Sequence, residues 1–165
     1  FFSVAMHGDW QQKINYLHHF TDISFVDDPI GDEGCKALSQ RLQKNVTVKS
    51  VNLGCNEIGD TGCMALAQAL ENNRTITAIN LRDNLITSEG CRALAHALQH
   101  NLKVTSVNLR SNQIGDQGCR ALIELMKSNS SITSINVGGN HISSELLGEL
   151  ERLEGIGNRS SIESR

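Results

Sequence analysis

Apolar and polar positions follow a short, fixed pattern in the segment ITAINLRDNLI, residues 76–86. The alternation Ile79, Asn80, Leu81 sends two aliphatic side chains to one face and the asparagine to the other, which predicts a short strand with one buried side. Asn84 is a polar position inside the same motif, three residues after Leu81. A strand that ends in a polar turn is therefore expected here.

A helical pattern follows each predicted strand. Cys63, Leu66, Ala67 and Leu70 stand at i, i+3, i+4 and i+7, which places them on one stripe of a helix. Each helix opens on a side chain that can accept a bond from the N–H groups of the first turn. The opening residues are Asp32, Asp60, Ser88, Asp116 and Ser144.

Strand and helix together form a unit that recurs every 28 residues. A fixed period of this size predicts a solenoid, in which each unit buries its apolar face against its neighbours. The predicted strands stack into a parallel concave sheet with the helices outside. The predicted repeats are 23–50, 51–78, 79–106, 107–134 and 135–154, the last of them a capping unit.

The ends of the array differ from its middle, as capping requires. Residues 1–22 are predicted to form an N-terminal capping helix, with Trp10, Ile14 and Leu17 on one face. In the last unit the apolar stripe shifts, which predicts a closing helix. Its members are Leu146, Leu147, Leu150 and Leu153. Residues 155–165 have no period and are predicted to be a polar tail or linker.

The strand motif fits the pattern L-x-x-L-x-L-x-x-N-x-L and resembles the leucine-rich repeat family. The length of 28 residues and the helical second half resemble the ribonuclease-inhibitor-like subclass, as in NOD-like receptors, ribonuclease inhibitor, the Ran GTPase-activating protein and tropomodulin. The resemblance covers residues 20–154. It implies an α/β leucine-rich repeat solenoid, a horseshoe segment.

Charge and hydropathy narrow the partners. A net charge of -3 and a pI near 6.1 give no broad positive field, so neither nucleic acid nor an anionic membrane is an expected partner. No apolar run approaches the ~18 residues of a membrane span. A sequence that starts at Phe1 leaves open whether the chain is part of a larger chain or assembly.

Candidate chemistry is sparse. The recurring asparagines Asn56, Asn84, Asn112 and Asn140 are interpreted as structural, because a buried asparagine side chain in the turn can satisfy backbone groups of its own unit and of the next one. The cysteines of the helix stripe are expected to be buried and reduced. His96 and His100 have a metal-binding spacing but lack a third ligand and are expected to be solvated. No catalytic motif appears, so we expect no enzyme, no cofactor and no metal.

The concave face is the expected partner-binding surface. Arginine is enriched in binding hot spots, so Arg82 and Arg110 in adjacent units are the expected anchors. The outward-facing strand positions hold no aromatic residue, so an ordinary solvated face stays open as an alternative. The asparagines can also be structural, with side chains that bond one another along the sheet. The candidate residues are Asn80, Arg82, Asp83, Asn108, Arg110 and Ser111.

Members of the resembled class act mainly by presenting surface to another macromolecule. The resemblance therefore implies a non-enzymatic protein–protein interaction module, with a protein partner of unknown identity. A number of reduced cysteines favours the cytoplasm. Two alternatives are a regulator of a small GTPase and an architectural subunit of a larger assembly. Stimulated GTP hydrolysis by small GTPases would support the first, and the absence of a soluble free pool of the protein would support the second.

Overall fold

Short strands and longer helices alternate in the computed structural model, which describes residues 10–26 and 28–163, with side chains described up to residue 155. A 3-10 turn, Leu17–His19, follows the first helix. The strands are β1 (Asp22–Ser24), β2 (Ser50–Asn52), β3 (Ala78–Asn80), β4 (Ser106–Asn108) and β5 (Ser134–Asn136). The helices are α1 (Trp10–Asn15), α2 (Gly31–Leu42), α3 (Asp60–Asn72), α4 (Ser88–Leu98), α5 (Gly115–Ser128) and α6 (Ser144–Glu163).

The strands form one parallel sheet in the order β1-β2-β3-β4-β5. The register pairs residues 28 positions apart, as the repeat predicts: Ile79 faces Val51 on one side and Val107 on the other. Each strand buries its central aliphatic residue and turns both neighbours toward the opposite side, so one face of the sheet packs on the helices. The predicted parallel sheet with outer helices is confirmed.

The core lies between the sheet and the helices. The helix stripe predicted from Cys63, Leu66, Ala67 and Leu70 is buried, with exposures of 0 to 3 %. A repeat cannot bury this stripe alone, so the stacking of units provides most of the apolar burial. The cysteines of the stripe are Cys35, Cys63, Cys91 and Cys119, and all four are buried thiols, as predicted.

The asparagine column at the strand ends is structural, as predicted. The Asn84 amide nitrogen donates to the carbonyl oxygens of Leu53 and Leu81, at 2.9 and 3.0 Å, and its oxygen accepts from the N–H groups of Asn56 and Ile58. The bonds join Asn84 to its own unit and to the preceding one. The sequence interpretation had paired it with the following unit, and the structure corrects that direction.

A second asparagine column lies at the opposite end of the units and was not identified from the sequence. The Asn73 amide donates to the carbonyls of Leu42 and Asn45 in the preceding unit, while its oxygen accepts from the N–H groups of Thr75 and Ile76. Asn73, Asn101 and Asn129 repeat this arrangement and are 0 to 2 % exposed. The two columns close both turns of the three inner units.

Aspartates at the helix starts connect neighbouring units. The Asp60 carboxylate accepts from the Thr87 N–H at 2.8 Å, the Thr87 hydroxyl at 2.6 Å and the Gly90 N–H at 2.9 Å. Asp32 makes corresponding backbone contacts one unit earlier. The expectation that each aspartate caps its own helix is wrong. Because the helices stand side by side, each carboxylate reaches the unsatisfied N–H groups of the next helix.

The close approach of units explains the glycine before three of the helical cysteines, at Gly62, Gly90 and Gly118. A Cβ added to Gly90 would lie 2.5 Å from the Asp60 carboxylate oxygen Oδ1 and 3.1 Å from the Asp60 Cα. Any side chain there would displace the carboxylate from its donors. The Gly-Cys pair therefore marks a contact between units.

Single charged side chains cover the two exposed edges of the sheet. At the first edge, Lys13 of α1 donates to the Ser24 carbonyl and pairs with the buried carboxylate of Asp28 at 3.5 Å. At the last edge, the Glu154 carboxylate of α6 accepts the Ile135 N–H at 2.6 Å. An edge strand presents unpaired backbone groups to any passing strand, and these contacts satisfy part of them.

The boundaries of the two end segments differ from the predicted ones. Only the part 10–22 of the predicted N-terminal cap lies within the described residues, and it forms α1 and the 3-10 turn. Helix α6 continues through Glu163, into the predicted tail 155–165. A helix that has already nucleated gains one hydrogen bond for each residue added, so a polar composition alone does not end it.

Candidate functional site

The concave face is built from the outward residues of the strands and from the turns that follow them. Asn80 and Asn108 face each other on β3 and β4. Their side-chain oxygens accept from the N–H groups of Arg82 and Arg110, both at 3.1 Å, and the Asn80 amide donates to the Asn52 oxygen at 2.9 Å. The two asparagines are half-buried and engaged in the turns. They position the arginines that follow them.

Arg82 is exposed and has an acidic neighbour. Its guanidinium lies 3.3 Å from the Asp83 carboxylate, and its side chain is 45 % exposed. This ion pair offsets part of the arginine charge. The stem of Arg82 lies over Gly54, where an added Cβ would be 3.2 Å from the arginine Cγ.

Arg110 is exposed and, within the described part of the chain, has no ion pair. Its Cγ lies 4.0 Å from where a Cβ of Gly138 would stand. The pattern across four strands is thus Gly54, Arg82, Arg110, Gly138, with each arginine stem next to the outer glycine. The glycines leave room for the two like charges to lie apart.

The turns after the strands have a left-handed backbone at the predicted site. Asp83 and Ser111 have φ angles of +53° and +54°, and Cys55 has the same conformation at the same repeat position. Non-glycine residues adopt this region uncommonly, and aspartate and asparagine do so more readily than most. The conformation lets the chain turn sharply away from the sheet and leaves Asp83 exposed beside Arg82.

The model of the Leucine Rich repeat family matches residues 44–67, 72–95, 100–122 and 128–145, together more than half of the chain. The chain belongs to the leucine-rich repeat family. The predicted family and fold class are therefore confirmed. A comparison with curated protein sequences gave no significant match.

Solved structures of similar fold span nearly the whole of this leucine-rich repeat protein. A structure titled Leiomodin-1 Actin-Binding Site 2 has a TM-score of 0.81 and 21% identity, and the match covers 94% of this chain and 91% of that one. The tropomodulin C-terminal domain of Caenorhabditis elegans has a TM-score of 0.82 and 14% identity, with coverage of 96% and 98%. At these identities the likeness concerns the fold.

The buried thiols of this leucine-rich repeat protein are held protonated. Burial raises the pKa of Cys35 and Cys91 to about 12, and nearby acidic groups add to the shift. The Cys91 thiol donates to the carbonyl of Gly118 in the next unit at 3.6 Å. A protonated, buried thiol is a poor nucleophile and a poor metal ligand, so this column is part of the packing.

The described part of the chain contains neither a metal-binding cluster nor a membrane-spanning helix. In that part of the chain no three or more His, Cys, Asp or Glu side chains come together as a metal site would need. His96 lies exposed on α4, and His100 lies beyond the end of that helix. No helix among the described residues is long and apolar enough to cross a membrane.

Proposed function

We propose that this protein is a non-enzymatic interaction module whose concave face binds an acidic surface of a protein partner through Arg82 and Arg110. The observation that carries the proposal is the unneutralised charge of Arg110 beside the partly neutralised Arg82. Two exposed guanidinium groups on adjacent strands repel each other, and carboxylates of a partner would remove that repulsion.

The surroundings of the two arginines support this function. Gly54 and Gly138 flank them, so no bulky side chain stands between a flat partner surface and the guanidinium groups. Asn80 and Asn108 fix the backbone that carries the arginines, which lowers the entropy that binding must overcome. Rigid arginine anchors on a sheet are a common form of binding hot spot.

The architecture proposed for the module is five repeats over residues 23–154 between a capping segment, residues 1–22, and a C-terminal segment from residue 155. Actin is the first partner to test, because a leiomodin structure of the same fold and size is described as an actin-binding site. That description belongs to leiomodin. The experiment decides whether it extends to this protein.

The test is actin binding by cosedimentation with filaments and by analytical ultracentrifugation with monomers. The variant R82E/R110E reverses both anchor charges, and R92E/R120E makes the same change in net charge on exposed positions of α4 and α5. We expect the first variant to weaken binding at least tenfold and the second to change it less than twofold. Melting temperatures should stay near the wild-type value, because all four positions are exposed.

Equal binding by R82E/R110E and the parent would exclude the concave face as the anchor. If the parent does not bind actin, the partner is a different protein. The same two variants then distinguish true partners from background in affinity capture from cell extract. A partner of the concave face must bind the parent and R92E/R120E but not R82E/R110E.

A further inference from the structure

Charged residues are segregated to the two edges of the solenoid. All strands are parallel, so every strand-to-helix turn lies at one edge and every helix-to-strand turn at the other. The strand-to-helix edge, which we call the acidic edge, holds Arg82 and Arg110 at the strand ends but is otherwise rich in carboxylates: Asp28, Asp32, Glu33, Glu57, Asp60, Asp83, Glu89, Asp116 and Glu145. The opposite edge, which we call the basic edge, carries Lys44, Val46, Lys49, Arg74, His100, Leu102 and Lys103. Among the described residues, the acidic groups at or near this edge are Asp22, Glu71, Glu124 and Glu154, the last two in the final two helices.

Helix capping explains only part of this polarity. Basic residues near helix C-termini are favoured by the helix dipole, and the Arg74 guanidinium indeed donates to the carbonyls of Glu71 and Asn73. Lys49 and Lys103 lie several residues beyond the ends of α2 and α4. Within the described part of the chain, their ammonium groups and that of Lys44 make no ion pair or hydrogen bond.

Two aliphatic side chains project from the tips of the loops on this edge. Val46 is 78% exposed and Leu102 is 65% exposed, and they occupy the same position in units two repeats apart. Arg74 stands at that position in the unit between them. Two strand spacings separate the tips by ~10 Å. They are too far apart to touch each other.

A surface cavity adjoins the basic edge at its first unit. It has a volume of about 380 Å³ and lies between α1 and the loop after α2. Its lining includes Arg41, Lys44, His18 and Val46, and no carboxylate. A cavity with basic groups and an exposed aliphatic rim can accommodate an anionic headgroup.

From this arrangement we infer that the basic edge binds the surface of a bilayer that contains anionic lipids. The three unpartnered lysines attract the charged surface, and the two separated tips insert independently among the headgroups. A protein interface would instead gather its apolar contacts into one central cluster, which Arg74 prevents here. The acidic edge points away from the bilayer, which fixes the orientation. The concave face stays accessible, so this inference does not depend on the actin proposal.

Vesicle cosedimentation tests the inference with phosphatidylcholine vesicles, with and without phosphatidylserine. We expect binding only to the anionic vesicles, and loss of that binding at high salt. The variant K44E/K49E/K103E should bind on the order of 100-fold more weakly. The control K36E/R92E/R120E has the same net charge, with its changes on exposed helical positions, and should retain most of the binding.

The apolar tips are tested by V46S/L102S, with L85S as the matched control, because Leu85 is 50% exposed and lies on the acidic edge. The first variant should bind anionic vesicles several-fold more weakly, and L85S should match the parent. Failure of the parent to bind anionic vesicles overturns the inference, as does an equal loss in both charge-reversed variants. If the parent protein is retained on immobilised polyglutamate but does not bind vesicles, the basic edge binds an acidic protein instead, and the inference is overturned.

Discussion

The Asp60 carboxylate joins two units through three hydrogen bonds, so D60A tests how the solenoid holds together. The change removes three hydrogen bonds at 2.6 to 2.9 Å, two of them from backbone N–H groups of Thr87 and Gly90. Gly90 is buried, so its N–H loses its partner without gaining water. An orphaned buried donor costs about 1 to 3 kcal/mol, and Thr87 is only half-buried, so the total is expected to be about 3 kcal/mol.

Two variants at the same repeat position provide graded controls. Asp116 accepts one bond, from the exposed Ser143 N–H at 2.7 Å, so D116A should cost about 1 kcal/mol. Within the described residues the Ser88 hydroxyl has no hydrogen bond, so S88A should change stability by less than about 0.5 kcal/mol. D60N keeps an acceptor oxygen for both N–H groups and should fall between D60A and the parent.

Urea unfolding followed by far-UV circular dichroism measures the series at 25 °C, provided that the m-value is unchanged. Amide hydrogen exchange supplies a local measurement. The Gly90 N–H should exchange faster in D60A than the unfolding free energy alone requires, because its acceptor has gone. The reasoning is refuted if D60A loses no more stability than S88A, or if Gly90 exchange follows the global change only.

Four further predictions concern the thiols, the first asparagine column and the last strand. Burial raises the Cys91 pKa from 9.0 to about 12. The unfolded thiol therefore ionises first, and the free energy of unfolding falls as pH rises above 9.0. Between neutral pH and about pH 11, urea unfolding should show that C91A loses about 2 kcal/mol less of this free energy than the parent. In the folded protein Cys55, the half-buried thiol, should react with a thiol reagent before the others, and simultaneous labelling would contradict the burial. N84A should lower stability by about 3 kcal/mol in the same urea assay, and an unchanged value would remove its structural role. E154A should destabilise by about 1 to 2 kcal/mol through the lost Ile135 contact, with E154Q between it and the parent in thermal melts.

The repeat pattern predicted the strands and helices well because local periodicity and the packing of units agree. Ile79 and its neighbours 28 residues away stand at the centres of their strands, as the alternation indicated. The second asparagine column was as visible in the sequence as the first, since Asn73 and Asn101 share the same period. It was missed because a polar residue after a helix has many ordinary uses, and only burial shows which one applies.

The candidate site was predicted in position but not in detail. Spacing alone placed Arg82 and Arg110 side by side, because one period corresponds to one strand step. It could not show that Asn80 and Asn108 are used in holding the turns, or that each arginine lies next to a glycine. These details depend on side-chain directions, which follow from the left-handed turn after each strand rather than from the period.

The recurrence of residues every 28 positions is enough to specify the family, the parallel sheet, the buried stripe and the reduced cysteines. Tertiary structure alone decided which unit each polar side chain serves. The Asp60 carboxylate caps the next helix instead of its own, and the Glu154 carboxylate reaches back to the last strand. The tertiary structure also distributes the charged residues, whose net charge is only -3, between an acidic and a basic edge. The reason is that the net charge is a sum over the whole chain and does not specify where each charge lies. Stacking parallel units specifies this, because it places every turn of one kind on the same side of the solenoid.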